Sequence, residues 1–176
     1  HSIYSVQDAP FREVCGADRE RPLSIHFLES SGEKSLYEGH GSLHDWYSKV
    51  GFECDFLHYS SPAERIVASV PKERSVLFVH NCEVTQSDID VLSHHFTAPL
   101  YWVLCPRSNN YISRLEPRSV ESLRKGGANI NICIGTDSLS SNWSLSMVEE
   151  LKMFHDIPLV ELLQWATING ARALGI

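Results

Sequence analysis

Leu23-Ser24-Ile25-His26-Phe27-Leu28, followed at once by Glu29, is the stretch on which the reading of this chain turns. It is short, apolar, and rich in β-branched and aromatic residues, as a strand buried in a parallel sheet tends to be. It also carries an imidazole near its end and a carboxylate just beyond it. Three further runs share this character: Val76-Leu77-Phe78-Val79, Leu100-Tyr101-Trp102-Val103-Leu104 and Ile130-Asn131-Ile132-Cys133-Ile134. Each runs into polar residues: His80-Asn81, Cys105-Pro106-Arg107-Ser108-Asn109 and Gly135-Thr136-Asp137-Ser138. His1 to Val6 reads as the tail of a fifth strand.

Helix signals fill the intervals. Ser61-Pro62-Ala63-Glu64 offers an N-cap, a Pro at the first helical position and a Glu at the third. Thr85-Gln86-Ser87-Asp88 opens a second helix in the same way. The spacing predicts further helices over Pro117 to Lys125, stopped by Gly126-Gly127, over Leu145 to Phe154, and from Pro158 through Thr167. Strand, helix, strand, helix is the pattern of a parallel sheet wrapped by helices.

In such a fold the chemistry sits at the carboxyl ends of the strands, where the loops converge. His26, His80 and Asp137 occupy corresponding ends of three strands, with Glu29 close behind His26. Singly, each is an ordinary hydrogen-bonded structural group. Together they suggest a metal or acid/base site, because burying several unpaired ionisable groups is costly. Imidazole nitrogen with carboxylate oxygen suits Zn²⁺, Fe²⁺ or Mn²⁺ better than Ca²⁺ or Mg²⁺. Residues three apart on a strand face opposite sides, so Glu29 joins His26 only if the backbone turns just after Phe27 or Leu28.

Composition narrows the classes. The 176 residues carry 15 Lys+Arg against 22 Asp+Glu, a net charge of -7, with no basic block, so nucleic acid is not an expected partner. No apolar run is long enough to span a membrane, and the opening residues lack the features of a signal peptide. Five cysteines without a C-x-x-C point to reduced thiols and a cytoplasmic location.

Taken in order, His26-Phe27-Leu28-Glu29, Val79-His80-Asn81, Cys105-Pro106-Arg107-Ser108-Asn109 and Gly135-Thr136-Asp137-Ser138 resemble the second half of the amidohydrolase superfamily barrel. The likeness is to its aminohydrolase and chlorohydrolase branch, which includes cytosine, guanine, adenosine-type and aminodeoxyfutalosine deaminases and triazine hydrolases. His1-Ser2-Ile3-Tyr4-Ser5 is similar to that branch's H-A-P-Y-S strand-four end, with Ile3 in place of Pro. Ala166 to Gly175 is similar to its final barrel helix. The branch with two metals bridged by a strand-four lysine is disfavoured, since no Lys lies near His1 to Val6.

The resemblance implies an α/β fold, a partial TIM-type (β/α)8 barrel made of strands 4/5 to 8 with their helices. Residues 1–176 would be its C-terminal half, without the N-terminal half, its H-x-H ligands and the small β domain. It implies His26 and Asp137 as metal ligands, with Asp137 also taking the proton of the attacking water. His80 would hydrogen-bond that water or the developing oxyanion, and Glu29 would relay a proton to a ring nitrogen of the substrate. His1, Ser108 and Asn109 would line the substrate pocket. The implied cofactor is a divalent metal, zinc ahead of iron or manganese. The implied reaction is hydrolytic removal of an exocyclic amino group from a heteroaromatic base or nucleoside-like small molecule. A triazine-type chlorohydrolase and a non-catalytic half-barrel remain as alternatives. The expected protein partner is the missing half or a second copy, and the isolated chain is expected to be inactive.

Several other patterns have plain explanations. His40 and His44 are spaced as a helical metal pair but read as a solvated loop. His94-His95 closes a helix, where imidazole suits the negative dipole end. Ser31-Gly32-Glu33-Lys34-Ser35 lacks the Gly-Lys-Ser of a phosphate loop. Asn142-Trp143-Ser144 is a formal glycosylation sequon. Trp143 is either a pocket wall or a packed aromatic at a helix start, and Cys105 has no partner that marks it as a nucleophile.

Overall fold

The computed structural model describes residues 2–17, 20–114, 120–126 and 129–176. A 3₁₀ turn at Ile3–Ser5 and helix α1 (Asp8–Gly16) precede strand β1 (Leu23–Phe27). Helices α2 (Ser31–Tyr37), α3 (Ser42–Val50) and α4 (Pro62–Ser69) lead to β2 (Val76–His80), and α5 (Gln86–His95) leads to β3 (Leu100–Leu104). Helices α6 (Pro106–Ser113) and α7 (Val120–Arg124) precede β4 (Ile130–Ile134), after which come α8 (Met147–Leu151), α9 (Leu159–Ala166) and α10 (Ile168–Leu174).

The four strands are parallel and lie in sequence order β1-β2-β3-β4. A doubly wound sheet reverses its strand order partway, whereas a barrel adds each new strand on the same side. The observed order is that of a barrel segment. Ser2 bridges His26 in parallel, which puts the start of the chain beside β1 in the position of a preceding strand.

The outer face packs against the helices. Ile25, Phe78, Trp102 and Ile132 form one buried row across the sheet, and the rings of Phe27, Phe78 and Trp102 lie within 6.4 Å of one another. The opposite face carries His26, Val79, Val103 and Cys133, with Ser24, Leu77, Tyr101 and Asn131 one step earlier. That face mixes polar groups with partly covered apolar ones, as the interior of an incomplete barrel does.

Helix starts follow their caps. Ser61 Oγ accepts from the Glu64 N–H, and Thr85 with Asp88 forms a reciprocal capping box. The expected helix over Leu145 to Phe154 is shorter, Met147–Leu151, with Ser146 at the N-cap position. Pro158 is an N-cap rather than the first helical residue, and the helix it begins breaks at Thr167 before α10. The helix expected from Pro117 is seen as Val120–Arg124; Pro117 and Gly127 lie outside the described residues.

One buried cation ties the first turn to the barrel wall. Arg65 on α4 is 0% exposed, and its guanidinium donates to the carbonyls of Ile3 and Val6 at 2.8 Å each. It pairs with Asp8 at 3.3 Å and stacks over Phe11 and Phe56. Truncating it strands two carbonyls and leaves a cavity, so Arg65→Ala should cost roughly 3–5 kcal/mol. A lowered denaturant midpoint at unchanged slope is the expected result.

Glu33 on α2 is fully buried, and burial pushes its carboxyl up to about 8 from an ordinary 4.5. The folded protein then holds a proton that the unfolded chain releases. The stability this contributes is complete below pH 4.5 and is lost as pH rises through about 8. Chemical unfolding across that window should show falling stability, and Glu33→Gln should flatten the slope.

Candidate active site

The site is built on turns that L-residues rarely adopt. Beyond β1 the backbone swings at Leu28, φ 46°, so Glu29 turns back toward the face that holds His26. At the end of β2, His80 (φ 79°) and Asn81 (φ 61°) do the same, and Asp137 beyond β4 has φ 56°. A bulky or branched residue with positive φ is strained and persists only where its surroundings over-determine it. Asn81 supplies part of that determination: its Nδ2 donates to the carbonyls of Phe78 and Val103.

These turns bring three chemistry-bearing groups together. His26, Glu29 and His80 each offer a ligand atom, and those atoms lie within 4.8 Å of one another. His80 Nε2 stands 3.2 Å from His26 Nδ1 and 3.6 Å from Glu29 Oε1. The rings of His26 and His80 meet edge to face at 4.7 Å.

Asn109 fixes the proton on His80. Its Nδ2 donates to the His80 carbonyl at 3.3 Å, so its Oδ1 is the atom 2.8 Å from His80 Nδ1. An amide oxygen only accepts, hence His80 Nδ1 carries hydrogen. His80 Nε2 is left to exchange a proton with Glu29 or to accept from His26 Nδ1. In the second case the lone pair of His26 is on Nε2. Burial and the neighbouring His80 push the His26 pKa down to about 4, so at neutral pH this ring is uncharged, the form in which an imidazole can bind a metal.

Asp137 stands outside the close trio. Its Oδ2 accepts from Ser108 Oγ at 2.7 Å and Ser141 Oγ at 2.6 Å. Burial pulls this carboxyl upward, but the two hydroxyls and the nearby His80 hold it below the usual carboxylate value. Its charge opposes the downward shift of His26, so the two groups sense each other electrostatically. Imidazole nitrogen and carboxylate oxygen in this arrangement fit a divalent transition metal.

Ser108 and Asn109 are buried, and their polar side-chain atoms hold Asp137 and His80. His1 lies outside the described residues. Cys105 is buried, and burial pushes its thiol far up, which disfavours a thiolate nucleophile. Asn142 Nδ2 donates to the Thr136 carbonyl and to Glu150 Oε1, so the sequon asparagine is an internal brace. Trp143 is exposed in the loop before α8, with the Arg107 guanidinium over one face and Tyr111 against its edge. His44 lies within α3 and His40 before it, paired with Asp45 and Glu38 respectively. His94 and His95 reach the carbonyls of Asp90 and Val70.

Sequence reasoning missed two groups that contact the site residues: Ser141, which donates to Asp137, and Glu33, whose carboxyl accepts from the Glu29 N–H. Ser141 follows Asp137 by four residues in a serine-rich loop with no pattern to distinguish it. Glu33 did have a signal: Ser30-Ser31-Gly32-Glu33 is a helix-start pattern with an acid at the third position, hidden beneath an apparent phosphate loop.

The chain is 31% identical to an adenosine deaminase of Helicobacter pylori, a match that covers 100% of this chain and 44% of that protein. It is 32% identical, over 86% of its length, to an aminodeoxyfutalosine deaminase of Nitratiruptor, of which it covers 35%. Among solved structures, Helicobacter pylori aminofutalosine deaminase in complex with methylthio-coformycin superimposes with a TM-score of 0.83, covering all of this chain and 44% of that one. The chain therefore spans less than half the length of these relatives. With residues 1–176 all matching the family and the strand order of a partial (β/α)8 barrel, the chain belongs to the amidohydrolase family.

Proposed function

We propose that residues 1–176 are the C-terminal half of the barrel of a metal-dependent aminohydrolase. In this reading the whole protein removes an exocyclic amino group from a purine or nucleoside-like substrate by attack of water. The observation that carries it is the convergence of His26, Glu29 and His80 donor atoms within 4.8 Å, beside an ionised Asp137. Relatives named as adenosine, aminodeoxyfutalosine and 5-methylthioadenosine/S-adenosylhomocysteine deaminases support the reaction class. The family is generally divalent-metal dependent, which agrees with the donor set.

Each residue has a part. His26 and Asp137 would hold the cation, with zinc ahead of iron or manganese. A bound divalent cation would lower the pKa of its water toward about 7 and orient it. Asp137, kept ionised by Ser108 and Ser141, accepts the proton released as water attacks. Glu29, with its side chain partly open to solvent, delivers a proton to the ring nitrogen and makes the adjacent carbon electrophilic. His80, with Nδ1–H anchored on Asn109, presents Nε2 toward Glu29 and the developing oxyanion. Ser108 and Asn109 act through Asp137 and His80, and His1 contributes to the substrate pocket. No described helix is long and apolar enough to cross a membrane. The free cysteines support a reducing, cytoplasmic setting.

The test is release of ammonia from adenosine-type substrates by the full-length protein. Glu29→Gln should lower kcat by about 10²–10⁴-fold while metal content stays near that of the parent. Asp137→Asn should reduce both, since a ligand and a base are lost together. Loss of metal in the Glu29 variant would contradict its assignment as a proton carrier. Residues 1–176 alone offer His26 and Asp137 as assigned ligands, and two ligands give too little binding energy to fix a metal in one geometry. Elemental analysis of that segment should find little zinc and ammonia assays little turnover; stoichiometric zinc with measurable turnover would contradict this.

A further inference from the structure

The peptide group between Leu28 and Glu29 is held at both ends. Its carbonyl, on Leu28, accepts from the Glu83 N–H at 2.9 Å, and its N–H, on Glu29, donates to Glu33 Oε2 at 3.3 Å. One residue earlier, the Phe27 carbonyl accepts from the Asn81 N–H at 3.0 Å. The contacts from Asn81 and Glu83 are backbone to backbone and come from the segment that follows β2. The contact from Glu33 is made by a side chain, and an ionisable one.

Glu33 is an expensive choice for that task. It is 0% exposed, and its second oxygen, Oε1, makes no hydrogen bond among the described residues. An apolar side chain of similar length would fill the same space without a desolvated carboxyl. What it could not do is accept the Glu29 N–H. That N–H sits one residue past Leu28, at φ 46°, beyond the end of β1, and among the described residues its acceptor is the Glu33 carboxyl. Rotation of this peptide would swing the Glu29 carboxylate away from His80 Nε2, now 3.6 Å from Oε1.

We propose that Glu33 is a positioning residue, whose buried carboxyl pins the Leu28–Glu29 peptide and so sets the direction of the Glu29 carboxylate. The proposal rests on the assignment of Glu29 as proton carrier given above. Glu33 touches neither substrate nor metal. It acts through the backbone of its neighbour, and the effect belongs in kcat rather than in substrate binding.

The experiment compares Glu33→Gln, Glu33→Met and Glu33→Asp in the full-length protein. Gln keeps an acceptor at the same reach, Met fills the volume without one, and Asp withdraws the acceptor by one methylene. Met and Asp should lower kcat by about 10- to 100-fold with KM changed less than about 3-fold, while Gln stays within about 3-fold of the parent. Hydrogen exchange at the Glu29 amide gives a readout independent of turnover. It should remain slow with Gln and accelerate at least about 10-fold with Met and Asp. If Met fails to fold, the contrast between Asp and Gln carries the test. Equal kcat losses in all variants in step with melting temperature, or a Glu29 amide equally protected in all of them, would overturn the proposal. A parent protein that releases no ammonia would instead overturn the aminohydrolase reading, and the exchange data would still decide whether Glu33 pins the turn.

Discussion

A strand in regular extended conformation sends successive side chains to opposite faces, so residues three apart cannot share a site. His26 and Glu29 do share one, because Leu28 takes a left-handed backbone that an L-residue adopts only under constraint. The same device recurs at His80 and Asn81 and at Asp137. Such positions cost of order 1–3 kcal/mol each. They cluster at the carboxyl ends of the strands: Glu29 directly follows Leu28, and His80 and Asp137 are themselves such positions.

The strain is held by polar groups with few alternatives. Asn81 anchors its own turn to Phe78 and Val103, and Asn109 clasps His80 by ring and carbonyl at once. Ser108 and Ser141 hold Asp137. Most of these supports are buried, where an unpaired polar atom is costly, so the network is stable when complete and poorly tolerant of gaps. Beneath it, the Phe27, Phe78 and Trp102 cluster keeps strands β1 to β3 in register. Arg65 fastens the first turn against α4. The site is thus a set of strained turns resting on a rigid wall.

Much of this was legible in the residues themselves. The four strands stand out because each is a short apolar run; β3 and β4 have the expected bounds, and β1 and β2 differ from theirs by one residue at the carboxyl end. His26, His80 and Asp137 stand at those ends, so the site's location followed from the fold class. Helices α1, α3 and α6 were not legible, being short, polar and partly solvated, and the start signal of α2 was passed over beneath an apparent phosphate loop. The hydrogen bonds of Ser108 and Asn109 were hidden for a related reason. Hydrogen-bond partners 29 residues away leave no periodic trace in a sequence. The turn at Leu28 could be stated as a condition but not foreseen, since no glycine marks it.

The central claim is that these turns aim separate strand ends at one cation. Crystals of the full-length protein measured at a metal absorption edge test it most directly. The account predicts one anomalous peak about 2.0–2.2 Å from a His26 ring nitrogen and an Asp137 oxygen, with Glu29 outside bonding distance and still facing His80. A peak bound by Glu29 in place of Asp137, or none near His26, would contradict it.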